Sequence, residues 1–148
     1  MSKITPDLVK ELRERTGVGM GKCKEALEKV GGDLEKAIDF LRKAGMASAV
    51  KKEGRETREG LIGTAETKDA IALVEVNSET DFVTQNEKFK QFVHDIALEA
   101  AEGHAKSLES FLAKKCKKDP TLTIDQYRAL IIQSLGENIQ IQIGRAHV

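Results

Sequence analysis

A glycine-rich stretch near the start of the chain, Gly17-Val18-Gly19-Met20-Gly21-Lys22, contains residue types that could bind a phosphate. Phosphate-binding loops place glycine and lysine so that backbone N–H groups and an ammonium group face the ligand. That motif requires a glycine where this chain has Thr16 and a serine or threonine where it has Cys23. The dinucleotide-binding fingerprint also fails, because Lys22 occupies the position of its third glycine. The stretch is therefore predicted to be a turn between two helices.

The chain offers few groups suited to acid–base or nucleophilic catalysis. Its histidines are scattered, at His94, His104 and His147. His94 stands beside Asp95 with no serine or cysteine nucleophile nearby in the sequence, so both are predicted to face solvent on a helix. Cys23 lies on the apolar stripe of a predicted helix and is expected to be a core residue. A small enzyme using His94 with Asp95 or Glu99 is the least favoured interpretation, and no catalytic residue is assigned.

The charge balance argues against several classes of partner. The 148 residues include 24 basic and 24 acidic side chains, whereas proteins that bind nucleic acid or acidic membranes usually carry a basic excess. Aromatic residues make up 4% and tryptophan is absent, which disfavours a base-stacking surface. The basic cluster Lys114–Lys118 could contact phosphate, although a short lysine loop is usually solvated. No direct nucleic-acid or membrane partner is therefore expected.

The cysteines and the apolar pattern bear on cofactors and location. Cys23 and Cys116 show neither the spacing of metal ligands nor that of a disulfide framework, so no metal or cofactor is expected. The first residues lack the apolar segment of a signal peptide, and no apolar run approaches the roughly 18 residues of a membrane-spanning helix. A reducing, cytoplasmic setting is predicted.

Residues 1–45 are predicted to form a module of three short helices. Thr5 can cap a first helix that has Pro6 at its first position and ends at Gly17. Apolar residues recur at helical spacing in two further segments. The third helix is expected to begin after Asp33 and to end at Gly45.

Residues 46–60, which end in a run of charged residues and glycine, are predicted to be a linker that begins with a short helix at residues 46–52. Residues 61–148 then predict a second module of the α+β class, with two or three antiparallel strands covered by helices. Its expected elements are a hairpin of residues 61–66 and 70–76, a long helix at 86–102, a short helix near 108–112, a helix capped by Thr123 and stopped by Gly136, and a strand bearing Ile139, Ile141 and Ile143.

Two stretches of the sequence closely resemble the elongation factor Ts family. The first is residues 12–27, with Leu-Arg, Thr-Gly, a small loop and then Lys-x-Ala-Leu. The second is Glu75-Val76-Asn77-Ser78-Glu79-Thr80-Asp81-Phe82-Val83. Together with residues 51–60 and Gly136-Glu137-Asn138-Ile139, the resemblance runs from about residue 5 to residue 143.

The resemblance implies a function and an architecture. It implies a three-helix, ubiquitin-associated-like module followed by a core subdomain. It also implies a guanine-nucleotide exchange factor for elongation factor Tu in translation elongation, one that binds the GDP-bound and nucleotide-free partner and is not an enzyme. Family members usually continue into a second core subdomain, and nothing follows Val148 in this sequence. An N-terminal portion lacking that subdomain is therefore expected.

The resemblance also implies partner-binding residues. In the family, the aspartate and phenylalanine of the Thr-Asp-Phe-Val segment engage the GTPase domain near its Mg²⁺, which corresponds to Asp81 and Phe82 here. Phe82 would act as a wedge whose insertion dislodges Mg²⁺, while Thr80 and Val83 would hold the turn. A single phenylalanine after a strand is typically a core residue, so its exposure is predicted by the resemblance alone.

In the N-terminal module, the resemblance implies contacts with the GTPase domain from Arg13 and from the loop Val18-Gly19-Met20. The main alternative interpretation is a ubiquitin-associated-type protein-binding module joined to a small α+β domain. That alternative would explain residues 1–45 but not the segment at residues 77–83.

Overall fold

The computed structural model describes residues 4–103 and 105–147, so His104 and Val148 lie outside the described residues. The described residues form helices and one small antiparallel sheet, which confirms the α+β prediction. The elements in chain order are α1 (Pro6–Thr16), α2 (Met20–Lys29), α3 (Leu34–Lys52), β1 (Glu59–Glu66), β2 (Ala70–Ser78), α4 (Asp81–Thr84), α5 (Glu87–Glu102), α6 (Leu108–Ala113), α7 (Ile124–Leu135) and β3 (Gln140–His147).

Most helix starts follow from local capping chemistry. The Thr5 hydroxyl accepts a hydrogen bond from the Leu8 N–H at 3.2 Å, and Pro6 occupies the first turn of α1, as predicted. Asp33, Asn86 and Thr123 cap α3, α5 and α7 in the same way. These caps satisfy backbone N–H groups that have no partner within the helix.

The third helix is longer than the sequence predicts. It continues through Gly45 to Lys52 without interruption, so the expected stop at Gly45 is wrong. A Cβ at residue 45 would lie 3.4 Å from the Ala129 carbonyl oxygen and 3.3 Å from Gln133 Oε1, both on α7. Glycine here therefore allows two helices to approach closely and does not end one. The division into modules at residues 45 and 60 stays a prediction.

The three strands form one antiparallel sheet in the order β1-β2-β3. Val76 of the central strand pairs with Leu61 on one side and with Ile141 on the other. Along β2 the even-numbered residues 70–78 are buried and the odd-numbered ones are more exposed, the alternation expected of a sheet covered on one face. The predicted hairpin is confirmed.

Helix α5 covers the buried face of the sheet. A Cβ at Gly63 of β1 would lie only 2.7 Å from Cγ1 of Val93 on α5, which shows how closely the two elements pack. Helix α7 packs against α3, so the three N-terminal helices share one hydrophobic core with the rest of the chain. Within residues 4–103 and 105–147, no helix combines the length and the apolar character needed to cross a membrane.

Candidate functional site

The most exposed large apolar side chain in the described residues is Phe82, which is 85% exposed. By contrast, Phe89, Phe92 and Phe111 are at most 2% exposed and belong to the core. Phe82 lies on α4, a single helical turn between the end of β2 and the start of α5. An aromatic ring left in water forgoes the free energy of its burial, so its position is typical of a contact site.

Helix α4 points its residues in two directions. Val83 and Thr84 are buried, while Asp81 and Phe82 face solvent. The Thr84 hydroxyl donates to the Asp81 carbonyl oxygen at 2.6 Å, and the Ser78 hydroxyl donates to the Thr80 carbonyl oxygen at 3.1 Å. The turn is thus tied down on its inner side and presents a carboxylate and an aromatic ring on its outer side.

A pair of carboxylates joins this turn to the end of α7. Glu137 accepts the Thr80 N–H at 3.0 Å and the Thr80 hydroxyl at 2.7 Å. In the reverse direction, Glu79 accepts the Asn138 N–H at 2.7 Å. We call these four residues, Glu79, Thr80, Glu137 and Asn138, the carboxylate clamp. Residues 79–80 and residues 137–138 thus each donate hydrogen bonds to a carboxylate of the other pair.

The carboxylate clamp extends to the connection between α3 and β1. The Asn138 side-chain amide donates to the carbonyl oxygens of Glu53 and Arg55, at 3.4 and 2.8 Å. The Arg55 guanidinium lies 3.3 Å from the Glu79 carboxylate. Asn138 is fully buried, so these bonds satisfy a polar group that has no access to water.

The residues that the resemblance implies for the N-terminal module are placed unevenly. Arg13 and Gly19 are exposed, and Met20, at the first position of α2, is 47% exposed. Val18 is fully buried in the core. The Val18 side chain is therefore not free to contact another protein in this conformation.

The turn at Gly17 is hydrogen-bonded to Ser134, near the end of α7 from which Glu137 reaches Thr80. Lys88 Nζ donates to the Gly17 carbonyl oxygen and, at 2.7 Å, to the Ser134 hydroxyl. Ser134 in turn donates to the Gly17 carbonyl oxygen at 2.7 Å. Partial burial, and then the positive charge of Arg13, lower the pKa of Lys88. Residues 133–138 thus bind Thr80 of one implied contact segment and Gly17, the residue next to the other.

The basic cluster Lys114–Lys118 is largely paired within the fold. Lys114 lies 3.1 Å from Glu99, Lys117 lies 3.0 Å from Glu102, and Lys118 lies 3.0 Å from Asp95. The carboxylates all belong to α5. A loop that appears strongly basic in the sequence therefore has most of its charge compensated, which makes it a poor phosphate site.

The prediction that Asp95 faces solvent is wrong. Asp95 is buried, and its carboxylate accepts hydrogen bonds from Tyr127 Oη at 2.6 Å and Gln91 Nε2 at 2.8 Å. Burial, and then the hydrogen bond to Asp95, raise the pKa of Tyr127. His94 is exposed as predicted, and Cys23 is a buried core residue as predicted. Asp95 thus has a structural role on α5, and no group of three potential metal ligands occurs among the described residues.

Known sequences decide the relationship. The model of the family described as Elongation factor TS matches residues 79–147, which include both halves of the carboxylate clamp. A protein named Elongation factor Ts from Protochlamydia amoebophila is 66% identical over 142 residues, covering 96% of this chain. Over nearly its whole length, the chain is similar to proteins of the elongation factor Ts family. A relative of the same name from Chlamydia pneumoniae is 45% identical over 141 residues, covering 95% of the chain.

The chain spans about half the length of the elongation factor Ts relatives it matches, with 50% of each of these two proteins covered. The matched region includes the N-terminal helices as well as the sheet, so the similarity extends across both predicted modules.

Sequence reasoning missed the carboxylate clamp. Gly136-Glu137-Asn138-Ile139 contributes to the resemblance, but nothing in the spacing connects Glu137 with a threonine 57 residues earlier. The available signal was the presence of a carboxylate in each of two short motifs that flank the same predicted sheet. Such a pattern is too general to predict which residues Glu79 and Glu137 would bind.

Proposed function

We propose that this chain acts as a guanine-nucleotide exchange factor for elongation factor Tu and that Phe82 is its principal contact residue. The observation that supports this proposal most strongly is the 85% exposure of Phe82 on a turn whose other residues are held in place. Similarity to the elongation factor Ts family supports elongation factor Tu as the partner.

The physical action requires no covalent chemistry. Mg²⁺ tolerates little departure from octahedral geometry, so a small displacement of the protein around it weakens its hold on GDP. Phe82 is a rigid ring that gains apolar burial when it enters a partner surface, and this gain can drive rearrangement there. Asp81 brings a negative charge to the same place. The factor then stabilises the weakly bound and nucleotide-free states over the tight GDP complex.

The remaining implied residues have supporting roles in this proposal. Thr80 and Val83 hold the ends of the wedge segment, and Arg13, Gly19 and Met20 supply a second contact from the N-terminal helices, with Val18 anchoring them. Residues 1–45 and 61–148 are proposed as the two contact-bearing modules and residues 46–60 as their connection. The site of action is the cytoplasm, where translation elongation takes place, and the proposed action needs no cofactor and no nucleic-acid contact.

The rival function, a ubiquitin-associated-type binding module joined to an unrelated α+β domain, is less well supported. Relatives of a single name match continuously over 96% of the chain, across both predicted modules. A fusion of unrelated parts would match different families in its two parts.

The test is the rate of GDP release from purified elongation factor Tu, followed with a fluorescent GDP analogue at rising concentrations of this chain. The parent chain should accelerate release, and Phe82→Ala should lose roughly tenfold or more of that acceleration, about 1.4 kcal/mol of differential stabilisation. Leu108→Ala is a matched control, since it removes an exposed apolar side chain from α6 and should release GDP like the parent. Equal acceleration by Phe82→Ala and the parent would refute the wedge.

A further inference from the structure

The structure points to Glu137 as the positioning residue that holds Phe82 outward. We propose that its carboxylate, by binding the backbone and the hydroxyl of Thr80, fixes the start of α4 so that Phe82 cannot collapse onto the surface of its own chain. This inference rests on the proposed function, since it assigns to Glu137 a role in the action of Phe82.

Helix α4 needs an external support. It has four residues, far fewer than a helix requires for stability on its own. Among the described residues, backbone bonds beyond the helix run from the N–H groups of Gln85 and Asn86 to the carbonyl oxygens of Phe82 and Val83, at 3.2 and 3.0 Å. These bonds define the end of the turn. At its beginning, the Ser78 hydroxyl donates to the Thr80 carbonyl oxygen, and Glu137 accepts the Thr80 N–H and hydroxyl.

Thr80 behaves differently from the other residues that precede helices. Thr5, Asp33, Asn86, Ser107 and Thr123 all accept a hydrogen bond from the first turn of the helix that follows them. In the described part of the chain, Thr80 is the one N-cap residue with a polar side chain that makes no such bond. Its hydroxyl instead donates to Glu137 at 2.7 Å. The usual local cap is thus replaced by a long-range one.

The replacement makes the position of Phe82 depend on another part of the fold. Both oxygens of the Glu137 carboxylate are engaged by Thr80, and hydrogen bonds to an ionised acceptor are stronger than neutral ones. Glu137 itself follows Gly136, the left-handed residue that ends α7, so its backbone is fixed by a well-packed helix.

The reciprocal bond from the Asn138 N–H to Glu79 prevents the two segments from sliding past one another. Buried Val83 fixes the far side of the turn. Asp81 and Phe82 lie between these two anchors. The anchors fix the backbone on both sides of Phe82, and this is what directs its side chain toward solvent. Release of the Glu137 anchor would remove two hydrogen bonds from the start of the turn and leave the bond from the Ser78 hydroxyl to the Thr80 carbonyl oxygen.

The first experiment measures amide hydrogen exchange in the full chain. Glu137→Ala should reduce protection of the Thr80 amide by about tenfold or more and should also reduce protection at Gln85 and Asn86. Glu137→Gln keeps one acceptor and should fall between the alanine variant and the parent. Glu109→Gln, an exposed carboxylate on α6, is the matched control and should leave these amides unchanged. Unchanged Thr80 protection in Glu137→Ala would overturn the proposal.

The second experiment separates positioning from general stability by means of a double-mutant cycle with Phe82→Ala. If Glu137 acts through Phe82, Glu137→Ala should slow GDP release about tenfold in the parent background and have no effect in the Phe82→Ala background. Equal slowing in both backgrounds would overturn the inference, since Glu137 would then act on the whole fold or by its own contact.

The two experiments also distinguish this inference from the proposed function. If the parent chain fails to accelerate GDP release, the proposed function is wrong, and hydrogen exchange at Thr80, Gln85 and Asn86 still decides whether Glu137 holds the turn. If the parent chain accelerates GDP release and Glu137→Ala accelerates it equally, the proposed exchange function is supported and the positioning role of Glu137 is refuted.

Discussion

Two loops of this protein attract attention in the sequence, and the fold treats them in opposite ways. The loop Lys114–Lys118 carries four lysines, yet three of them pair with carboxylates of α5. The turn at residues 79–84 contains one aromatic residue of a type that is usually buried, and the fold leaves it 85% exposed. In the first loop, most of the lysine charges are paired within the fold. In the second, an aromatic side chain is left exposed to solvent.

The two regions also differ in what their buried or hydrogen-bonded carboxylates hold in place. Glu99 is buried, and it accepts the Lys117 N–H at 2.6 Å as well as the Lys114 ammonium, so it fastens the basic loop to the core. Glu137 forms similar bonds to half-buried Thr80, the residue that directly precedes the outward-facing Asp81 and Phe82. Similar hydrogen bonds therefore fasten a basic loop to the core in one region and precede an exposed aromatic side chain in the other.

The largest expected effect on stability is in the basic loop. Glu99→Ala should lower the free energy of unfolding by about 2–3 kcal/mol, because it removes the carboxylate that accepts the Lys117 backbone N–H and pairs with the partly buried Lys114 ammonium. The partly exposed Glu102, paired with Lys117, is the matched control on the same helix, and Glu102→Gln should cost about 0–1 kcal/mol.

Urea denaturation measures both variants, and GDP release per folded molecule should be unchanged in Glu99→Ala. This pattern is the reverse of Phe82→Ala, which should change stability by less than about 0.5 kcal/mol while impairing release. The distinction between the two regions would collapse if Glu99→Ala were no less stable than Glu102→Gln.

A smaller effect is expected from pH, again in the basic loop. Burial, and then the charges of Glu99 and Asp119, raise the pKa of Cys116 from 9.0 to about 11. The folded state therefore keeps a proton that the unfolded state loses. The stability this provides is fully present below pH 9 and is lost as the pH rises through about 11.

Denaturation of the parent and of Cys116→Ala at several pH values checks this expectation. The difference in unfolding free energy between them should narrow from pH 9 to 11, by less than about 1.4 kcal/mol per pH unit, the limit for one proton. The pKa of Tyr127 is also raised, chiefly by burial and by the hydrogen bond to Asp95, and both of these causes persist in Cys116→Ala. A constant difference across this range would show that Cys116 titrates normally. The turn at residues 79–84 contains no cysteine and should add no such dependence.

Much of the fold could be predicted because its causes are local. Thr5, Asp33, Asn86 and Thr123 cap helices through atoms two or three residues away, which the sequence displays directly. The alternation along β2 is likewise visible in the residue order. Gly45 could not be interpreted in this way, since its role depends on α7, which is about 80 residues distant in the chain.

The site was predicted only in part, for the same reason. Spacing alone favours a buried Phe82, and the family resemblance is what predicted its exposure. The burial of Asp95 follows from Tyr127 and Lys118, which are 32 and 23 residues away. The Glu137–Thr80 contact also spans distant segments. Each of these features requires knowledge of which segments the fold brings together.

The contrast between the two loops can be tested most directly by site-specific photocrosslinking to elongation factor Tu. A photoreactive phenylalanine analogue is placed at position 82 in one chain and at position 115, another exposed site, in a second chain. Each is irradiated with nucleotide-free partner. Adducts should form from position 82 and be absent from position 115. Adducts from position 115 alone, or equal yields from both, would contradict the assignment of the contact to Phe82.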